Sequence, residues 1–211
     1  MDQLKNYYKE MGVDEKVFDY AQEVEKGLKD RFETLDEIAQ LNQIKVLNAM
    51  QKHQIAEMHL GGTTGYGYND SGREAVEALY ADVFGTEDAL VRPQITCGTH
   101  ALGLALSANL RPGDEILAIS GKPYDTLEEV IGIRESKGSL KEYGITYAQV
   151  DLLEDGSFDL EGIKNAINDK TKLIHIQRSK GYATRPTLSV DVIGEAIAFV
   201  KEINKDLIVM V

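Results

Sequence analysis

From the start of the chain, apolar residues recur three and four positions apart. Val17, Tyr20, Val24 and Leu28 form one such series, and Leu35, Ile38, Leu41 and Ile44 form the next. That interval matches the 3.6-residue turn and predicts a helical segment over residues 1–50. Near Glu57 the rhythm breaks. The stretch HLGGTTGYGYNDSG holds five glycines and two tyrosines between periodic segments, which predicts a long loop. Ser71 stands where a helix cap belongs, and Glu74 three residues on completes a capping box. The helix behind it is expected to run from Gly72 to Phe84 and to stop at Gly85.

Further on, short apolar runs alternate with amphipathic ones. ALVRPQIT reads as extended and GTHALGLALSANL as a helix ended by RPGD. EILAIS, ITYAQVD, KLIHIQ and LIVMV read as strands; DTLEEVIGIRES, DLEGIKNAIN and SVDVIGEAIAFVKEIN read as helices. This alternation predicts an α/β fold, a mostly parallel sheet with helices on both faces. The last run reaches Val211 inside an apolar strand. The chain is therefore expected to be the N-terminal part of a longer protein. It would comprise a helical segment over 1–50 and the first part of a large sheet-bearing domain over 51–211.

Charge narrows the list of partners. The chain has 23 basic and 35 acidic residues, a net charge of −12. A surface so acidic repels nucleic acid and anionic lipid, so neither is expected as a partner. No apolar run approaches the roughly 20 residues of a membrane span, and MDQLKNYYKEMG lacks the apolar stretch of a secretory signal. The single cysteine, Cys97, excludes an intrachain disulfide framework and fits a reducing cytoplasm. His53, His59 and His175 show no metal-ligand spacing, so no metal is expected. His175 alternates with Ile174 and Ile176 and reads as a core residue with its hydrogen bonds satisfied.

The stretch QITCGTHALGLAL, from Gln94 to Leu106, carries the first chemical signal. An extended approach gives way at Gly98 to a helix, and a helix start presents unpaired N–H groups suited to an anion. The amides of Gly98 and Thr99, with the Thr99 hydroxyl, form a candidate phosphate site; the plain alternative is a strand-to-helix turn. Neither G-x-G-x-x-G nor G-x-x-x-x-G-K-[ST] is present. Tyr124 follows the strand EILAIS at its carboxyl end, the rim where open α/β sheets bind ligands. A flat aromatic beside a phosphate site suggests a planar phosphorylated cofactor.

Together, GGTTGYGYNDSGRE, ITCGTHALGLAL, RPGDEILAISGKPYDTLEEVIG, DLEGIKNAINDKTKLIHIQRSKGY and DLIVMV resemble the fold-type I pyridoxal phosphate enzymes of the cysteine/methionine branch. More narrowly, they resemble the methionine gamma-lyase-like group known as aluminium resistance proteins. The resemblance covers most of the chain from about residue 50 onward. It implies that Gly98 and Thr99 bind the cofactor phosphate and that Tyr124 stacks on the pyridine ring. It also implies that Tyr66 or Tyr68 crosses a dimer interface to a neighbour's phosphate, with Arg73 as partner; the family's Tyr-x-Arg spacing is missing. His100 either faces the cofactor or packs. In IQRSKGYATRP, Arg178 is implied as a bidentate carboxylate fork and Ser179 as a contact of the ring oxygen, although Ser179-Lys180 replaces the family's Ser-Asn pair. Arg185 is a second candidate fork or an exposed loop cation.

The implied function is a pyridoxal phosphate-dependent carbon–sulfur lyase of the cystathionine beta-lyase or methionine gamma-lyase type, acting on a sulfur-containing amino acid. Alternatives are a threonine aldolase, aminotransferase or racemase on the same frame, or a non-catalytic phosphate-ligand module. The Schiff-base lysine, and the Asp that holds the pyridine nitrogen, are expected beyond Val211. The expected assembly is a homodimer or homotetramer with sites at the subunit interface.

Overall fold

In the computed structural model, which describes residues 2–63 and 70–211, the chain forms two compact units, Met1–Arg92 and Pro93–Val211. The first unit is helical: α1 (Asp2–Glu10), α2 (Glu15–Gly27), α3 (Lys29–Lys52), a 3-10 turn (Glu57–Leu60) and α4 (Ser71–Phe84). Asp14 caps α2 by accepting from the Lys16 N–H at 2.8 Å. Lys52 donates to Asp82 at 2.9 Å and His53 pairs with the same carboxylate, so the end of α3 is tied to α4. The 1–50 helical segment thus runs on into α4 within one unit. The apolar series that predicted these helices stays open on them, with Leu41 at 70% and Ile44 at 57% exposure.

Two local expectations change. Asp70, not Ser71, caps α4, accepting from the Arg73 N–H at 3.1 Å and from the Thr63 hydroxyl at 2.9 Å. A carboxylate one residue earlier takes the role because it satisfies a helix amide and a loop hydroxyl together. ALVRPQIT forms no strand: the Val91 N–H donates to Glu77 at 2.9 Å, and Pro93 has no N–H for a ladder. Gly85, at φ +66°, ends α4 where expected.

The second unit contains α5 (Gly98–Asn109), β1 (Glu115–Ala118), α6 (Asp125–Ile131), β2 (Thr146–Gln149), α7 (Leu160–Ala166), β3 (Thr171–His175), α8 (Val190–Ile203) and β4 (Ile208–Met210). The strands lie in the order β2-β1-β3-β4 and pair in parallel, with Leu117 opposite Ala148 and Ile174, and Ile174 opposite Val209. Helix α6 stops at Ile131 because Gly132, at φ +94°, turns the chain into the left-handed region.

Strand side chains alternate between faces, and both faces are apolar. Ile116 and Leu173 pack on one side with Leu106 of α5 and with Leu127 and Ile131 of α6. Leu117, Ile119, Ile174 and Ile176 pack on the other with Ile163 of α7 and with Ile193, Ala196 and Val200 of α8. Burying each such side chain contributes about 1.5–3 kcal/mol. The α/β fold with both faces covered therefore follows from strands with consecutive apolar residues at their centres, Ile116 with Leu117 and Leu173 with Ile174.

The strand order creates the site. From β1 the chain steps to β2 on one side, then returns to lay β3 and β4 on the other. Loops leaving β1 and β3 therefore diverge, which opens a crevice at their carboxyl ends.

Candidate functional site

A cleft of about 470 Å³ occupies that position, a size suited to a small cofactor. It is lined by Gly98 and Thr99 of α5, Tyr124 and Thr126 at the start of α6, His175, Arg178 and Ser179 at the end of β3, and Val211 after β4. Five residues singled out in the sequence, Gly98, Thr99, Tyr124, Arg178 and Ser179, therefore share one cavity.

Its anion end is the first turn of α5. Cys97 occupies the cap position in extended backbone without a side-chain cap, and the first helical bond is the Ala101 N–H to the Cys97 carbonyl at 3.0 Å. The amides ahead of Ala101 belong to the unpaired first turn, where the helix carries about half a positive charge. A Cβ at Gly98 would meet nothing within 4 Å, so the approach is open. The Thr99 hydroxyl donates to that of Thr126 at 3.0 Å, which joins α5 to α6 at the wall of the cleft. Cys97 is exposed.

The aromatic wall is held from three sides. The Tyr124 N–H donates to Gln177 Oε1 at 2.7 Å, and the Gln177 N–H donates to Ser120 Oγ at 2.7 Å, so the loops after β1 and β3 are stitched together. Gly181, at φ +54°, lies against the Tyr124 ring; a Cβ there would come within 3.2 Å of Cε2. The neighbouring Tyr182, followed by the Asp125 carboxylate, raises the Tyr124 phenol above its ordinary pKa, so it stays protonated at neutral pH.

The loop after β3 separates its two arginines by role. Arg185 donates to the carbonyls of Gln177 at 2.8 Å, Ser179 at 3.1 Å and Pro186 at 3.0 Å. It braces the loop, and neither expected reading, an open fork or a free cation, describes it. Arg178 is exposed, lines the cleft and has no ion pair among the described residues. Ser179 Oγ accepts from the Gly181 N–H at 3.2 Å.

His175 departs from its expected role. Its ring is 3% exposed and its enclosed Nδ1 has no hydrogen-bond partner among the described residues. Burial pushes its pKa down to about 4, so the imidazole is neutral. A core histidine with its bonds satisfied was expected; the flanking Ile174 and Ile176 belong to the opposite face and supply no polar atom.

The remaining candidates lie elsewhere. His100 lines an adjoining hollow of about 630 Å³ between α5 and α6, and its Nδ1 accepts from the Thr96 N–H at 3.4 Å. One helical position beyond Thr99 turns its side chain away from the cleft. Arg73, in the first turn of α4, sits 3.8 Å from Asp70 in the helical unit. Tyr66 and Tyr68 lie outside the described residues. Gln177, Ser120, Thr126 and Gly181 were not singled out in the sequence, although Ser120 and Gln177 close the two strands that border the crevice. Among the described residues no group of three or more His, Cys, Asp or Glu side chains is placed to hold a metal, and no helix is long and apolar enough to cross a membrane.

The class these features define is an α/β protein with a ligand cleft at its topological switch point, open to an anion at one end and walled by an aromatic ring. Comparison with known proteins makes the assignment narrower. The sequence model of the methionine gamma-lyase family matches residues 17–211, and the chain belongs to that family. It is 53% identical to YnbB of Bacillus subtilis (strain 168) over 90% of this chain and 46% of that protein. A Clostridium novyi NT structure described as a carbon-sulfur lyase involved in aluminium resistance is 45% identical, with a TM-score of 0.92, over 99% of this chain and 50% of the other. A Listeria monocytogenes structure, described as a candidate cystathionine beta-lyase involved in aluminium resistance, is 51% identical with a TM-score of 0.86, over 89% and 47%. The chain spans about half the length of these relatives.

Proposed function

We propose that this chain supplies the phosphate and ring contacts of a pyridoxal phosphate-dependent carbon–sulfur lyase acting on a sulfur-containing amino acid. The observation that carries the reading is the convergence of an uncapped helix start, Tyr124 and Arg178 on one cleft. The residues fit the cofactor. Free first-turn amides and an open Gly98 suit a phosphate, Tyr124 offers a flat wall, and an unpartnered buried nitrogen on His175 suits a polar heterocycle. The names of the Clostridium and Listeria relatives support the lyase class.

When bound, pyridoxal phosphate supplies a ring that draws electrons from the substrate's Cα. The chain's own residues position and select. Gly98 and Thr99 hold the dianion through amides and the helix dipole, each dipole contact contributing about 0.3–1 kcal/mol. Tyr124 restricts the ring to one plane, and Gln177 fixes Tyr124 through its backbone. Arg178 orients the substrate carboxylate through paired N–H donors. Ser179 contacts the ring oxygen. The covalent lysine that the resemblance implies is not among these residues, so the complete reaction belongs to the proposal as well. The exposed apolar series on α2 and α3 supports a homo-oligomer, which light scattering tests.

Absorbance titration with pyridoxal phosphate, followed by product analysis with cystathionine, methionine and threonine, tests the function. In the full-length protein, which supplies the implied lysine, a visible band with release of ammonia and a 2-oxo acid from the sulfur substrates is expected. A colourless protein indifferent to the cofactor refutes the reading, and aldehyde release from threonine alone moves the assignment to an aldolase.

A further inference from the structure

The described residues leave one buried polar side-chain atom without a partner, His175 Nδ1, and it belongs to the ring on the β3 side of the cleft. Such an orphan is rare in folded proteins, because a buried nitrogen stripped of water and unpaired is destabilising. A neutral imidazole carries one donor and one acceptor. The strands place Nδ1 where the fold offers it no partner: His175 shares a face with Leu173, which packs against apolar residues of α5 and α6, and pairs in register with Ala118 and Met210. At the carboxyl end of that face the apolar packing gives out and the cleft begins, with Gly98, Thr99 and Tyr124 on its other walls.

We infer that His175 is a ligand-binding residue of this cleft, whose neutral ring exchanges a hydrogen bond with a polar heteroatom of the bound cofactor. The inference rests on the pyridoxal phosphate reading and deepens it by adding a contact remote from the phosphate end. It accounts for an imidazole at a strand position where valine or isoleucine would pack without an unpaired nitrogen. The fold leaves that nitrogen without a partner, and the cleft beside the ring is where a ligand would meet the imidazole.

The test compares the full-length protein with its His175→Phe and His175→Gln variants. Three quantities are read: pyridoxal phosphate affinity by absorbance, inorganic phosphate affinity by displacement, and the thermal midpoint without ligand. His175→Phe should weaken pyridoxal phosphate about ten-fold or more, equivalent to about 1.4 kcal/mol. It should leave inorganic phosphate within about two-fold and should not lower the ligand-free midpoint, because it removes an unsatisfied atom. His175→Gln, which keeps a donor and an acceptor, should recover part of the lost affinity. Equal cofactor affinity in His175→Phe and the unmodified protein overturns this inference alone. So does a ligand-free midpoint that falls in both variants with cofactor affinity unchanged, which marks a structural histidine. Unmodified protein that takes up no pyridoxal phosphate overturns this inference and the proposed function together.

Discussion

Acidification isolates the energy stored in one side chain. An unfolded imidazole takes up its proton near pH 6.5, whereas burial holds His175 near 4 in the folded chain. Between those values the unfolded chain binds more protons, so stability falls as pH drops through the window. The separation of about 2.5 pH units corresponds to roughly 3 kcal/mol in full, at about 1.36 kcal/mol per unit, and about 2 kcal/mol of it is lost by pH 5. Asp70, Asp82, Asp155 and Glu15 have depressed pKa values and add acid sensitivity of the same sign. Their losses come as pH falls through the lower carboxylate range and are common to both proteins, so they cancel in a difference. Urea unfolding of ligand-free protein and of His175→Phe, followed by circular dichroism at pH 7, 6 and 5, measures that difference. The two stability curves should converge toward pH 7 and separate by about 2 kcal/mol at pH 5. Parallel curves would show that His175 is solvated or paired in solution, and would remove the basis for a neutral ring in the cleft.

Other substitutions test the site and its frame. Thr99→Ala and Tyr124→Ala should each weaken pyridoxal phosphate in absorbance titrations, with Tyr124→Ala losing about 0.5–1.5 kcal/mol of ring contact; unchanged affinity in both removes the proposed pocket. Gly181→Ala forces a side chain into the left-handed region against the Tyr124 ring. It should lower stability by about 1–2 kcal/mol and shift the spectrum of bound cofactor, whereas an unshifted spectrum detaches Tyr124 from the ligand. Gly132→Ala meets Lys141 Cβ at 2.6 Å and Ser139 Oγ at 2.9 Å at φ +94°; thermal unfolding should register a loss of roughly 2–4 kcal/mol. Asp70→Ala should cost about 1 kcal/mol and Ser71→Ala much less, an order that reverses if Ser71 is the cap.

Legibility in the sequence depended on how local each feature is. Strands β1 and β3 are apolar on consecutive residues, Ile116 with Leu117 and Leu173 with Ile174, and this pattern alone announces a sheet covered on both faces. The placement of Gly98 and Tyr124 beside the cleft was also readable, because Gly98 opens α5 and Tyr124 immediately precedes α6. Features made by distant residues were not readable. Nothing near Ser71 shows that Thr63 recruits Asp70, and nothing near Arg185 shows that three carbonyls of its own loop will occupy it. His175 is the sharpest case. Its alternation with two isoleucines correctly marked a strand, but alternation says only that a side chain is enclosed. Whether its nitrogens find partners depends on the elements packed on that face, and α5 and α6 bring leucine and isoleucine to it. The same topology that hides this histidine from water also splits the loops after β1 and β3 apart, and Ser120, Gln177 and Tyr124 then bridge the opening from either side. The cleft is thus a consequence of strand order, and its chemistry follows from which polar atoms that order leaves without a partner.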